Sequence, residues 1–264
     1  MSRFIVLFLL IATTLPAETI TLRVLSYNIH HGEGMDGRID LERIARVIRS
    51  VDPDLVGLQE VDVRTRRSGG VDQALVLAQL TGMHVVYGAT MPFQNGLYGN
   101  AVLSRWPAAE FSNFALPPNP GHEPRALLAA RFGARPFAGH LYATHLDIHR
   151  EDRLNSLERI LKATNTEKGL FTSFKILIGD LNDTPDSELL RRLHDVGWRS
   201  AVTGPTVPVV DPKRQIDFIL FHPPTLWRVG EQRVLVEEVA SDHRPIFAVL
   251  EFDLPEPSAP GPQR

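Results

Sequence analysis

The chain contains no cysteine, which excludes a disulfide framework, a lipid-modified cysteine, a thiol nucleophile and a thiolate-ligated zinc site. Any metal must be held by oxygen or imidazole. A basic excess is also missing: 28 Lys and Arg stand against 31 Asp and Glu, a formal net charge of −3. That balance argues against holding a long polyanion by counterion release, although a local patch stays open. Long low-complexity runs and internal repeats of clear period are absent as well. The one extended apolar stretch, Phe4 to Leu15, is shorter than the roughly 20 residues a spanning helix needs. With Arg3 before it and Leu15-Pro16-Ala17 after it, residues 1–17 read as a cleavable secretory leader, an uncleaved anchor being the alternative.

What is present can fold. With 43% hydrophobic and 22% charged residues in 264, the chain can bury a sizeable core as one domain over residues 18–253. The four prolines between Pro255 and Arg264 predict a disordered tail over 254–264. Strands are predicted at Thr21 to Tyr27, Asp54 to Gln59, 84–88, 99–104, 125–132, 137–144, the run into Asp180, 216–221, 232–236 and 246–252. Helices follow Asp40, with Leu41, Ile44, Val47 and Ile48, and Asp72, with Gly82 just past the end. Two more carry Leu154, Leu157 and Leu161, and span Ser187 to Leu193. Several strands follow one another without a helix, so two packed mixed sheets covered by helices fit better than one parallel sheet.

Several of these strands end in chemistry. Apolar runs deliver Asn28, Glu60, His145 with Asp147, and Asp180 with Asn182, while Asp217 and Ser241-Asp242-His243-Arg244-Pro245 precede two others. Asn28 and Glu60 supply the amide and carboxylate oxygens a hard divalent cation takes. Asp180 can orient or deprotonate a water, and Asn182, one residue beyond the next, can donate to a phosphoryl oxygen. An imidazole such as His243 beside Asp217 and Asp242 has its pKa raised. His145 is the natural second imidazole. His30, His31, His84, His122, His140, His149, His194 and His222 lack this setting and read as surface or packing residues, His30 and His31 lying closest to Asn28.

The ordered set Asn28, Leu58-Gln59-Glu60-Val61, Tyr98 to Arg105, Thr144-His145-Leu146-Asp147, Gly179-Asp180-Leu181-Asn182, Ile216-Asp217 and Ser241 to Pro245 resembles the endonuclease/exonuclease/phosphatase superfamily over residues 21–252. The resemblance implies a four-layer α/β/β/α sandwich of two mixed β-sheets, with Mg²⁺-dependent phosphoester hydrolysis at one edge and Mn²⁺ as a substitute. It implies metal positions at Asn28, Glu60 and Asp242 and catalytic positions at His145, Asp180, Asn182, Asp217 and His243. Asn100 and Arg125 fall in segments that resemble phosphate-facing loops. His145 is similar to the histidine of pancreatic-type deoxyribonuclease, bacterial sphingomyelinase and inositol phosphatases rather than the pattern of abasic-site repair nucleases.

The expectation is an exported phosphodiesterase, with phospholipid, sphingolipid or small phosphate esters favoured. A secreted nuclease of the same fold and a catalytically silent binding module are the alternatives. Peripheral membrane contact through Met91-Pro92-Phe93 or Phe111 to Leu116 is open, and no protein partner is evident.

Overall fold

Apolar runs interrupted by Gly, Pro and Asn set the strand boundaries. The computed structural model describes residues 19–134, 137–165 and 174–253; the leader and the tail lie outside them. In chain order the elements are β1 (Thr19–Asn28), α1 (Leu41–Ser50), β2 (Leu55–Val63), α2 (Gln73–Thr81), β3 (His84–Phe93), β4 (Gly96–Ser104), β5 (Glu110–Leu116), β6 (Arg125–Ala134) and β7 (Phe137–His145). There follow α3 (Arg150–Asn165), β8 (Phe174–Asp180), α4 (Glu188–Asp195), β9 (Arg199–Ser200), β10 (Asp217–His222), β11 (Arg228–Val234) and β12 (Ile246–Asp253). Asp40, Asp72 and Ser187 cap α1, α2 and α4 by accepting from the N–H groups of Arg43, Leu75 and Leu190 at 2.9, 3.0 and 3.2 Å, each cap stabilising by about 1 kcal/mol. Gly82 closes α2 in the left-handed conformation at φ 69°.

Two six-stranded mixed sheets result, in the orders β11-β12-β1-β2-β4-β3 and β5-β6-β7-β8-β10-β9. Each has one parallel pair, β1 with β2 and β7 with β8, joined by a helix. The succession β-α-β-α-β-β thus occurs twice, although the sequence shows no repeat. Alternation along the strands sorts side chains into layers. Val24 enters the core between the sheets while Leu25 faces α1 and α2; Ile176 and Ile178 enter that same core while Leu177 faces α3 and α4. The architecture is a four-layer α/β/β/α sandwich. Between the sheets a Cβ on Gly57 would stand 1.9 Å from Ile178 Cδ1, so this glycine lets the sheets interlock.

Three local expectations change. Glu110–Leu116 is an edge strand whose first six residues are exposed, so it carries no alternating signal. Met91-Pro92-Phe93 belongs to the end of β3, and Phe93 packs beside Tyr98 and beneath the Arg67 guanidinium. The strand expected at 232–236 runs instead over Arg228–Val234, with an irregularity between Val229 and Glu231. Among the described residues, no helix is long and apolar enough to cross a membrane.

Candidate active site

The parallel pairs β1–β2 and β7–β8 end side by side, and their last residues form the site. In β2 the register shifts between Leu58 and Val61, and Glu60 takes φ 60°; this bulge turns a residue of a buried strand toward the cleft. Asn28 Nδ2 donates to Glu60 Oε1 at 3.0 Å and to Asp180 Oδ2 at 3.2 Å, while its Oδ1 accepts from His30 N at 3.0 Å. One buried amide therefore ties the carboxylate of the first sheet to that of the second. Ser241 Oγ donates to Asn28 O at 2.7 Å and to Asp242 Oδ1 at 3.3 Å, fixing Asp242 against the end of β1.

Across the cleft, β8 and β10 are paired so that Asp180 and Asp217 are opposite each other. His243 stands between them, Nδ1 3.0 Å from Asp217 Oδ2 and Nε2 3.6 Å from Asp180 Oδ2. His145, paired with Asp180 from β7, brings Nε2 to 3.4 Å from the same Oδ2. Gly179 makes this convergence possible: at φ 152°, a Cβ there would lie 1.9 Å from Thr144 O. Asn182, at φ 50°, turns back so that its N–H reaches Asp180 Oδ1 at 2.9 Å and its Nδ2 donates to Leu146 O at 2.9 Å.

The two imidazoles differ electrically. Burial pushes the His243 pKa down, but Asp217, then Asp180 and Asp242, outweigh burial and raise it to about 10. Burial, followed by Arg125 and His243, holds His145 well below the ordinary imidazole value. Arg125 Nη1, which can only donate, stands 3.2 Å from its Nδ1, so a second ring proton there would face a donor; Asn182 Nδ2 and Asp180 Oδ2 lie 3.1 and 3.4 Å from its Nε2. Burial, then Asp217, pushes Asp180 up to about 7 against His243 and the hydrogen bonds from Asn182 and Asn28. A neutral imidazole and a charged one thus flank a carboxylate that takes up a proton near neutral pH.

Asn28, Glu60, His145, Asp180, Asn182, Asp217, Asp242 and His243 are all brought to this edge. Arg125 is buried behind His145 and also meets Glu123 Oε1 at 3.0 Å. Asn100 is set back: its Nδ2 donates to Ala126 O at 3.2 Å, a carbonyl shared with Thr144 Oγ1, so it clasps the two sheets beneath Arg125. Of the arginines after Glu60, Arg67 is paired with buried Asp62 at 2.7 Å, whereas Arg64 and Arg66 are exposed. His30 and His31 turn to Glu33, through its backbone oxygen at 3.1 Å and its carboxylate at 3.0 Å.

Two contributors carry no strand-end signal. Thr206 Oγ1 donates to Asp217 Oδ2 at 2.5 Å from the irregular segment between β9 and β10, and Tyr98 OH lies 3.5 Å from His145 Nδ1. Tyr98 was legible only as part of the Tyr98 to Arg105 motif. Burial, then Glu60, raises its pKa, which keeps the hydroxyl protonated.

The donor set suits a hard divalent cation. Glu60 and Asp242 offer half-buried carboxylates beside the Asn28 amide, and Asp217 Oδ1 is buried with no hydrogen-bond partner among the described residues. Asp180, Asp217 and Asp242 concentrate negative charge around His243, a setting that suits a divalent cation.

The sequence model of the endonuclease/exonuclease/phosphatase family matches residues 25–243. The uncharacterised protein YbhP of Escherichia coli K12 is 28% identical over 178 residues, which cover 63% of this chain and 68% of YbhP. A solved endonuclease/exonuclease/phosphatase structure from Beutenbergia cavernae is 26% identical with a TM-score of 0.73, covering 90% of this chain and 73% of that one. A mannosyl-6-phosphatase from Bacteroides thetaiotaomicron shares the fold at 19% identity and a TM-score of 0.71, covering 87% and 99%.

Proposed function

The chain belongs to the endonuclease/exonuclease/phosphatase family of metal-dependent phosphoric ester hydrolases, and we propose that it is an exported, Mg²⁺-dependent phosphodiesterase acting on lipid head groups or small phosphate esters. The observation that carries this reading is the convergence of Asn28, His145 and His243 on one carboxylate oxygen, Asp180 Oδ2. A base poised near neutral pH then lies between a cation-binding side, Glu60 with Asn28 and Asp242, and an imidazolium.

Glu60, Asn28 and Asp242 would hold Mg²⁺, or Mn²⁺ in its place, which would supply neutralisation of the charge that builds on the phosphoester. Asp180, with a pKa near 7, orients a water for in-line attack and accepts its proton. His243, held charged by Asp217, donates to a phosphoryl oxygen or to the departing alkoxide. His145, neutral and fixed by Arg125, contributes one N–H without bringing a second charge. Asn182 holds Asp180 through its backbone N–H and adds a side-chain amide beside His145. No covalent intermediate is required.

The net charge of −3 disfavours a long polyanion. Exposed aliphatic side chains stand in loops at the same end of the sandwich, Ile148 at 68%, Val210 at 56% and Val236 at 80% exposure, a surface suited to an amphiphilic ester. Export rests on Arg3 and the apolar stretch Phe4 to Leu15, and is checked by fractionating cells that express the full chain. The mannosyl-6-phosphatase of the same fold motivates a second reading, hydrolysis of small phosphate monoesters. The test is a screen of the protein lacking residues 1–17 against sphingomyelin, glycerophospholipids, DNA, RNA and aryl phosphate mono- and diesters, with and without Mg²⁺. Metal-dependent turnover of the lipid or small diesters is expected. Turnover of nucleic acid alone, of monoesters alone, or of nothing would overturn the substrate assignment.

A further inference from the structure

His122, Asp147, His149 and Asp152 converge beside the catalytic cleft, each offering a ligand atom within 4.8 Å of the others. They come from three segments: the loop between β5 and β6, the connection from β7 to α3, and the first turn of α3. The His122 and His149 rings stack with centroids 3.7 Å and planes 6° apart. His122 Nδ1 lies 2.5 Å from Asp152 Oδ2, and His149 Nδ1 lies 2.6 Å from Asp147 Oδ1. We propose that these four side chains form a second cation site, selective for a borderline transition metal such as Zn²⁺ and distinct from the Mg²⁺ position at Glu60.

Charge is the first argument. Asp147 and Asp152 are both 2% exposed, and two buried carboxylates at this distance need cations. If only the histidines supplied them, two imidazolium rings would lie face to face at 3.7 Å, like charge on like charge. Among the described residues the one guanidinium within 4 Å of the Asp147 carboxylate is that of Arg125, 3.9 Å away by its Nε and engaged at Nη1 with His145 and Glu123. One divalent cation balances both carboxylates and leaves both rings neutral. With the metal on Nδ1, each ring proton moves to Nε2, so the exchange of tautomer changes no charge.

Donor chemistry and preorganisation are the second and third arguments. Two imidazoles and two carboxylates make the four-ligand nitrogen and oxygen set of a closed zinc site, and imidazole ligands disfavour Mg²⁺. The carboxylates are already held: Asp152 Oδ1 accepts from Asn119 N at 2.6 Å, and Asp147 Oδ1 from His149 N at 2.8 Å. Arg153 Nη1 donates to the carbonyls of Asp147 and Ile148 at 3.1 and 2.6 Å while its Nε binds Asp183 at 3.0 Å. Such outer partners fix ligands in place before a metal arrives. Because Asp147 Oδ2 faces Arg125, which holds His145, a loaded site would also anchor the back of the catalytic histidine.

The test is Zn²⁺ titration by calorimetry in excess Mg²⁺, comparing the wild type, Glu60→Gln, His149→Ala and the double variant His122→Ala/His149→Ala. Circular dichroism checks that each is folded; His149 is half exposed at 49%, so its single replacement leaves the core untouched. The Glu60→Gln protein should keep the site and the double variant should bind one equivalent fewer. His149→Ala alone should weaken it by more than the roughly 10–100-fold that loss of a supporting partner costs. Co²⁺ in place of Zn²⁺ should give visible absorption of four-coordinate intensity that disappears in the double variant. Equal Zn²⁺ stoichiometry in wild type and double variant, or no Zn²⁺ bound by Glu60→Gln, would overturn the proposal. Neither outcome depends on phosphodiesterase activity.

Discussion

Asp217 Oδ2 is shared by His243 Nδ1 at 3.0 Å and Thr206 Oγ1 at 2.5 Å, so the carboxylate that keeps the imidazole charged is itself held by a hydroxyl. If His243 acts as the cationic donor, its removal in His243→Ala should lower kcat/KM on a phosphodiester by roughly 10²–10⁴. Asp217→Asn removes the leading cause of the raised pKa of about 10. The alkaline limb of its kcat/KM profile should therefore move to lower pH, and an unmoved limb would assign that limb to another group.

Asp180 is expected to trade stability for activity. Its folded pKa of about 7 exceeds the ordinary 3.8, so its contribution is fully present below about pH 4 and is lost as pH rises through 7. In EDTA at pH 8, Asp180→Asn should be more stable than wild type by about 1–3 kcal/mol, with near parity at pH 4. Turnover should fall by roughly 10² or more. Denaturant midpoints at the two pH values measure the first effect.

Glu60 should govern the metal requirement. EDTA should abolish activity, and Mg²⁺ or Mn²⁺ should restore it. Glu60→Gln keeps a side-chain oxygen for the 3.0 Å contact with Asn28 but removes the charge, so the Mg²⁺ concentration for half-maximal rate should rise by roughly tenfold or more. An unchanged requirement would place the cation elsewhere.

Gly179→Ala tests the backbone beneath the site. Its Cβ would meet Thr144 O at 1.9 Å, a backbone atom that cannot rotate away. The substitution should cost about 1–3 kcal/mol of stability and separate His145 from Asp180, lowering kcat more than a change of similar stability cost on α1. Wild-type kcat in this variant would show that the parallel pair tolerates a wider spacing.

Strand ends were readable where an apolar run gives way to polar residues, as at Tyr27-Asn28, Leu58-Gln59-Glu60 and Gly179-Asp180. Burial on both faces made those runs continuous. The edge strand Glu110–Leu116 has a largely exposed face and no core to impose alternation, while β9 has only two residues. Thr206 was hidden for a different reason: it serves the site from an irregular segment broken by Gly204, Pro205, Pro208 and Pro212, where no periodicity marks a side chain's direction. His122 read as a surface residue because its carboxylate partner Asp152 becomes a neighbour only when the β5–β6 loop folds over α3, while His149, two residues from its partner Asp147, stands past the strand end where no periodicity gives its direction.

The interlock of Gly57 with Ile178 gives the enzyme a fuse. Asn28 and Glu60 ride on one sheet, His145 and Asp180 on the other, and what fixes their spacing lies between the sheets. A slip along that seam too small to unpair a single strand would already carry Asn28 away from Asp180. Turnover should therefore fade in dilute denaturant before the far-ultraviolet dichroism changes, because chemistry depends on the gap between the two halves and secondary structure does not.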